Sequence, residues 1–360
     1  MRKINIGFVG CGDISGIYLE NLTGRFDNLN IIGVCDLVPE KAKAAAEKYN
    51  IPTIYPDMHA LFADPNVDIV LNITRPYEHF DVTRAALLAG KHVYSEKPLG
   101  ATLAEGRELV ALAAEKDLML GGAPDTFLGA GYQTCRKLID DGFIGKPVGA
   151  TAFMVCRGHE SWHPDPAFYY QFGGGPMLDM GPYYVTGLVS LLGAVAAVQG
   201  MTNTSFPTRT ITSQPKAGTI VPVEVPTYIM GLMRFASGPV ASIFTTFDCY
   251  TAEVPRIEIY GSEGTLSLPD PNTFGGPVKL WRPEEKKWYE LPLVRPNEEN
   301  SRGLGLSDMA NALVNGQKTF RADCRTTLHV LEIMEGFHTA SANGAQIAMT
   351  TAPERPEALR

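Results

Sequence analysis

Ile4-Asn5-Ile6-Gly7-Phe8-Val9-Gly10-Cys11-Gly12-Asp13-Ile14-Ser15 decides how the first third of this chain folds. Its first six residues are an apolar run with little alternation, as in a parallel strand buried on both faces. Gly10 permits a tight turn, and Gly12 lets backbone amides approach a pyrophosphate. A helix opening near Asp13 and Ile14 would aim its amide dipoles at that phosphate. The pattern is G-x-G-x-x-S, because Ser15 takes the place of the third glycine and Gly16 follows it. Context gives the glycines their meaning: a strand before, a helix after, then a second apolar run from Asn30 to Cys35 that ends in Asp36.

Asp36 bears on cofactor choice. A carboxylate at the end of the second strand accepts hydrogen bonds from both ribose hydroxyls and repels a 2′-phosphate. Leu37 and Val38 follow it, with no arginine, so NAD is expected and NADP is disfavoured. The plainer role for Asp36 is an N-cap for a helix over Pro39–Lys48.

The strand–helix rhythm continues outward from there. Helices are expected over Asp57–Ala63, Tyr77–Ala89 and Leu103–Glu115. Strands are expected over Val67–Ile73, at Val93-Tyr94 and over Leu118–Leu120. Such alternation implies a doubly wound parallel sheet covered on both faces. Ser95-Glu96-Lys97-Pro98 leaves the Val93-Tyr94 strand. A lysine at the carboxyl end of a parallel strand faces the crevice where such sheets bind ligands.

Composition sets outer bounds. The chain has 360 residues, enough for two domains; 45% are hydrophobic and 19% charged, which is globular. With 31 Lys and Arg against 39 Asp and Glu the net charge is −8, which disfavours nucleic acid or an anionic membrane as main partner. No apolar run approaches the ~20 residues of a membrane span. Met1-Arg2-Lys3 runs straight into a strand, so no signal peptide is expected. Cys11, Cys35, Cys135, Cys156, Cys249 and Cys324 are scattered, as free thiols in a reducing, cytoplasmic setting would be.

Four features in order resemble the Gfo/Idh/MocA family of glucose–fructose oxidoreductase, inositol dehydrogenase and the rhizopine-catabolism enzymes. They are Gly10-x-Gly12 with Asp36, Thr74 with His79, Glu96-Lys97-Pro98, and Gly173-Gly174-Gly175-x-x-x-Asp179-x-Gly181. The resemblance implies an α/β Rossmann domain followed by an α+β domain with a large, mostly antiparallel open sheet. It implies NAD(P)-linked chemistry at a carbinol carbon of a sugar or cyclitol, and often a cis bond before Pro98. On this basis Gly10, Gly12, Asp13, Ile14, Asp36, Thr74, His79, Glu96 and Lys97 are cofactor-binding, and Lys97, Asp179 and Tyr183 catalytic. The family's frequent Thr-Pro-Asn is Thr74-Arg75-Pro76 here, and its frequent histidine four residues after the motif aspartate is Tyr183. Asp179 and Tyr183 are four apart and share a helical face, which the resemblance places against Lys97 and the nicotinamide.

The expected domains are 1–123 for NAD, 124–345 for substrate and oligomerisation, and a polar, mobile tail over 346–360. After a strand from Val148 to Arg157 comes Gly158-His159-Glu160-Ser161-Trp162-His163-Pro164-Asp165-Pro166. This contains H-E-x-x-H, a zinc pattern that works only on a helix. Gly158 and the two prolines argue for a loop, so no metal is expected. Arg157, His159, Trp162, His163 and Tyr170 are expected to bind a polyol, whose C–H faces stack on aromatic rings. Asp125 stands where relatives often carry arginine, which favours a neutral polyol. The remainder reads as hairpins about Ala236–Pro239 and Gly261–Gly264, an edge pair near Trp281 and Trp288, and two late helices. An open sheet of this kind suggests a homodimer or homotetramer.

The function expected is NAD-dependent hydride transfer to or from a polyol carbon. One alternative is a cofactor-retaining glycosidase or lyase using His159, Glu160 or His163 as the extra acid or base. A less favoured one is a non-catalytic sugar sensor.

Overall fold

The computed structural model describes residues 2–359. The first unit begins with six parallel strands, β1 (Ile4–Val9), β2 (Leu29–Cys35), β3 (Thr53–Ile54), β4 (Ile69–Asn72), β5 (His92–Ser95) and β6 (Leu120–Gly122). Their order is β3-β2-β1-β4-β5-β6, so the order reverses between β1 and β4. In open α/β sheets ligands bind outside the strand ends at such a reversal. Connecting helices are α1 (Ser15–Gly24), α2 (Pro39–Tyr49), α3 (Met58–Ala63), α4 (His79–Leu88) and α5 (Leu103–Glu115). Local chemistry sets their starts. The Asp57 carboxylate accepts from Ala60 N at 2.8 Å ahead of α3. Thr102 and Glu105 form a capping box ahead of α5, each such cap stabilising a helix by ~1 kcal/mol.

The second unit is built on α6 (Ala130–Asp140), α7 (Gly175–Leu192) and nine of the strands β7 to β17. These nine are β7 (Pro147–Val155), β8 (Val195–Asn203), β11 (Tyr228–Phe235), β12 (Val240–Thr246), β13 (Ile257–Gly261), β14 (Thr265–Leu268), β15 (Val278–Arg282), β16 (Lys287–Leu291) and β17 (Ile347–Ala348). They run in the order β16-β15-β14-β13-β7-β12-β11-β8-β17 and are antiparallel except β7 with β12. A separate pair joins β9 (Thr208–Thr210) to β10 (Ile220–Pro222). Helix α7 lies against β7 and β12 and buries Val185, Leu188 and Val189.

Two expectations about domain limits give way. The chain leaves the first unit after Asp125 and returns to it over Asn300–Leu328, which includes α8 (Leu304–Val314). Backbone hydrogen bonding draws it back. Asn21 Nδ2 donates to the carbonyls of Asn300 and Arg302, both at 2.9 Å, and Gly122 N donates to Ala322 O. The tail is not loose either. Helix α9 (Cys324–Asn343) carries Glu332, whose carboxylate accepts from the backbone N–H of Thr350 and Thr351, both at 2.9 Å. Arg136 Nη1 donates to Pro356 O at 2.6 Å, and Leu359 N donates to Gln133 at 2.7 Å.

His329 anchors the same strap and makes it acid-sensitive. Its Nε2 accepts from Val195 N at 2.9 Å, and Nδ1 meets Thr351 Oγ1 at 2.7 Å. Burial holds its pKa down at about 4, against 6.5 for a free side chain. The unfolded chain therefore binds a proton between pH 6.5 and 4 that the folded chain excludes. Stability is full above pH 6.5 and drains as pH falls towards 4. His329→Gln keeps an acceptor for Val195 and removes the titration. Its stability loss between pH 7 and pH 5, read by thermal melts, should be smaller than the parent's by about 2 kcal/mol. Equal losses in the two proteins would refute this.

Candidate active site

The cofactor cradle is assembled at the carboxyl ends of β1, β2, β4 and β5. Gly10 has φ +97°, and a Cβ there would lie 2.5 Å from the Ile73 carbonyl oxygen. Only glycine fits that crossing. At Gly12 a Cβ would meet nothing within 4 Å, so its backbone faces open space. Ser15 Oγ donates to Gly12 O at 2.6 Å and closes the turn as α1 begins. The serine is thus an acceptable third residue of the fingerprint. Asp13 and Ile14 are exposed beside it.

Asp36 is a junction and not the cap of α2, which is Val38. One carboxylate oxygen accepts from Cys11 N at 2.6 Å and the other from Val38 N at 2.7 Å. An ionised carboxylate has about four acceptor positions, so capacity for ribose hydroxyls remains. An open glycine backbone, the orphan amides of a helix start and an acceptor-only carboxylate fit a dinucleotide.

Two residues expected on the cofactor are instead internal braces. His79 is buried, with Nδ1 2.8 Å from Pro98 O and Nε2 3.1 Å from Thr74 O. Burial lowers its pKa, so it is neutral and ties the turn after β4 to the turn after β5. Glu96 is also buried; it accepts from Tyr18 Oη at 2.6 Å and from Lys97 N at 2.9 Å. It fixes the backbone that presents Lys97, which is itself half-buried. The Lys97–Pro98 bond is cis. Thr74 donates through Oγ1 to Asn72 Oδ1 at 2.7 Å. Asn72, which the sequence did not single out, also donates to His79 O and to Thr83.

Asp125 is a correction. It is 1% exposed, and its carboxylate accepts from Gly303 N at 2.9 Å and Gly305 N at 3.0 Å, at the start of α8. Burial raises its pKa to about 6 against the pull of those amides. It caps a helix in the first unit and is not placed to touch substrate.

In the second unit, the stretch from His159 to Trp162 is a turn, not a helix. Gly158 enters it at φ +97°. His159 Nε2 lies 3.1 Å from Asp179 Oδ2, joining the loop to α7. The imidazole is ringed by Tyr169 at 4.0 Å, Phe247 at 4.8 Å and Trp162 at 5.2 Å between centroids. Tyr170 is a second correction. It is 0% exposed, and burial with the neighbouring Glu160 carboxylate pushes its pKa up. The one-residue step of the 3-10 turn over Pro166–Tyr170 gives the partly open position to Tyr169. Glu160 is committed to Arg209 at 3.1 Å, and Arg209 also bonds Asp248 and, at 2.8 Å, Phe247 O. His163 Nδ1 accepts from Asp165 N at 3.0 Å. Arg157 lies over the rings of Phe206 and Tyr250, at 4.7 and 5.1 Å. Trp162 is exposed and Tyr183 nearly buried. Among the described residues no group of three or more His, Cys, Asp or Glu could hold a metal ion.

Comparison with known proteins places both parts of the chain in one family. Residues 4–122 match the oxidoreductase family with an NAD-binding Rossmann fold, and residues 132–267 match the GFO/IDH/MocA C-terminal domain. The chain belongs to the Gfo/Idh/MocA family. Among similar members, the inositol 2-dehydrogenase/D-chiro-inositol 3-dehydrogenase of Lactiplantibacillus plantarum is 36% identical over 40% of this chain and 41% of its own. The myo-inositol 2-dehydrogenase of Thermotoga maritima is 25% identical over 73% of this chain and 74% of its own. The chain thus aligns with under half the length of the first of these relatives. The apo form of levoglucosan dehydrogenase, 20% identical, superposes with a TM-score of 0.83 over 98% of this chain and all (100%) of its own. That likeness shows that the Gfo/Idh/MocA fold extends through both units.

Proposed function

We propose that this Gfo/Idh/MocA protein is an NAD-dependent dehydrogenase of a neutral sugar, cyclitol or related polyol, acting at a CH–OH carbon. The observation that carries the proposal is the placing of Asp36 and Lys97 at the ends of β2 and β5, in one sheet, around the glycine turn after β1. Bound NAD supplies the hydride acceptor. Lys97 holds the substrate hydroxyl and offsets the negative charge that grows on its oxygen as the C–H bond weakens. Asp179 and Tyr183, on one face of α7, are the orienting groups of the second unit. Relatives named for inositol, xylose and levoglucosan act on neutral polyols, which supports the substrate class. Those names favour net oxidoreduction over the glycosidase or lyase alternative. Asp36 favours NAD over NADP.

The test is to incubate the purified protein with NAD and a panel of free and glycosylated polyols. NADH formation is the expected result. Release of an aglycone without NADH would replace this reading with the lyase, and neither signal would leave a sensor.

The oligomer and the compartment belong to the same proposal. Met201 and Met230 are cross-strand partners on β8 and β11, 78% and 54% exposed, with exposed Leu232 beyond them. A row of this kind on a sheet face suits burial against a second copy, giving a homodimer or homotetramer measurable by sedimentation velocity. All six cysteines are free, as suits a cytoplasmic location. Among the described residues no helix is long and apolar enough to cross a membrane.

A further inference from the structure

The H-E-x-x-H stretch is the one sequence motif that the cofactor and the sheet do not absorb. Its middle and last members are spoken for: Glu160 pairs with Arg209, and His163 Nδ1 receives Asp165 N. Its first member is placed differently. His159 meets the Asp179 carboxylate through Nε2 at 3.1 Å. The two side chains are only 12% and 14% exposed.

An ionised carboxylate can only accept a hydrogen bond. Nε2 therefore carries the proton, and Nδ1 carries the lone pair. Among the described residues Nδ1 makes no hydrogen bond. The rings of Tyr169, Phe247 and Trp162 hold the imidazole from its other sides. A base must be held in one tautomer and one orientation by a third group if it is to take a proton efficiently. His159 meets that condition.

We infer that His159 is the general base of the dehydrogenation, with Asp179 as its positioning residue. This rests on the dehydrogenase reading above. The substrate O–H bond breaks and its proton goes to Nδ1. The C–H pair leaves as hydride to the oxidised nicotinamide, and the carbon becomes a carbonyl. The imidazolium formed is stabilised by Asp179. In the reverse direction it returns the proton.

Other titratable groups around the imidazole are Cys156, Tyr169, Tyr170, His163 and the Glu160–Arg209–Asp248 set. Cys156 is pushed up to about 11 by burial and by the Asp179 and Glu160 carboxylates, and Tyr170 is pushed up too. The remaining charges are internally paired.

Three measurements decide the matter. Nitrogen-15 spectra of the histidine rings should show His159 as the Nε2–H tautomer, and Asp179→Asn should abolish that preference. An Nδ1–H tautomer in the parent would overturn the inference without any assay. His159→Gln, whose amide nitrogen reaches the Nε2 position and keeps a donor for Asp179 but no base, should lower kcat ~10²-fold or more and flatten the acid limb of the pH profile. His159→Ala should regain rate on addition of imidazole, which a merely structural histidine would not. Parental rates and an intact limb in His159→Gln, or no rescue in a folded, NAD-binding His159→Ala, would each overturn it. A parent without turnover on any polyol would instead sink the dehydrogenase reading, and the ring spectra would still judge the dyad.

Discussion

Lys97→Ala will lower turnover by about 10³-fold, the scale of losing a positioned charge at a developing oxyanion, and leave NAD affinity within about threefold. The turn that carries Lys97 is held by bonds from other groups. Glu96 holds the backbone through Lys97 N at 2.9 Å, Tyr18 holds Glu96 at 2.6 Å, and His79 meets Pro98 O at 2.8 Å. Alanine keeps every one of those bonds. The variant should therefore melt within about 2 °C of the parent, since exposed and half-buried substitutions away from such features cost little. It should quench and bind NAD as before. Lys97→Arg should not recover the rate, because a planar fork cannot replace a compact ammonium at one oxygen. Stopped-flow absorbance of NADH gives kcat, and fluorescence titration gives Kd. Normal turnover in Lys97→Ala would remove the lysine from the mechanism and leave the His159–Asp179 pair to act alone.

How far these residues were legible in the sequence depended on the range of the interactions that place them. The Rossmann unit was legible because its signals are local. A strand run, Gly10, Gly12 and Asp36 lie within one βαβ stretch, and α3 and α5 carry their own side-chain caps at Asp57 and Thr102. The hairpins β11–β12 and β13–β14 were legible from the glycines between them. Helix α6 was missed because Gly129 and Gly131 stand at its start and polar Gln133, Thr134 and Arg136 are among its nine buried residues, so the stretch does not read as an apolar core helix. The return of 300–328 to the first unit was also missed, since only tertiary bonds such as Asn21 to Asn300 O record it.

At the site the same rule sorts successes from failures. Asp36 and Lys97 follow from strand ends. Asp125 was misread because its partners, Gly303 and Gly305, lie almost half the chain away. Tyr170 was preferred to Tyr169 because composition alone does not say which of two adjacent rings turns inward. The pairing of His159 with Asp179 joins a loop to a helix 20 residues on. The sequence offered both residues as candidates, yet nothing local linked them.

Asp36 carries the other large effect, and its double duty shapes the experiment. Replacing it with alanine removes an acceptor for the ribose hydroxyls. Hydrogen bonds to a charged group are worth about 1.5–3 kcal/mol each, so NAD should bind about 10²-fold more weakly. The same change orphans Cys11 N and Val38 N, which the carboxylate now receives at 2.6 and 2.7 Å. Loosening the glycine turn weakens NAD and NADP alike, so absolute affinity mixes two causes. The ratio of the two Kd values separates them, because only the ribose end differs between the coenzymes. Loss of the negative charge removes the repulsion of a 2′-phosphate, and the preference for NAD should collapse by about 10²-fold in Asp36→Ala. Asp36→Asn keeps one carbonyl oxygen for the backbone amides while losing the charge. It should therefore shift the ratio nearly as far with a smaller loss in melting temperature. An unchanged ratio in both variants would show that Asp36 serves only the glycine turn, and that cofactor choice is made elsewhere in the chain.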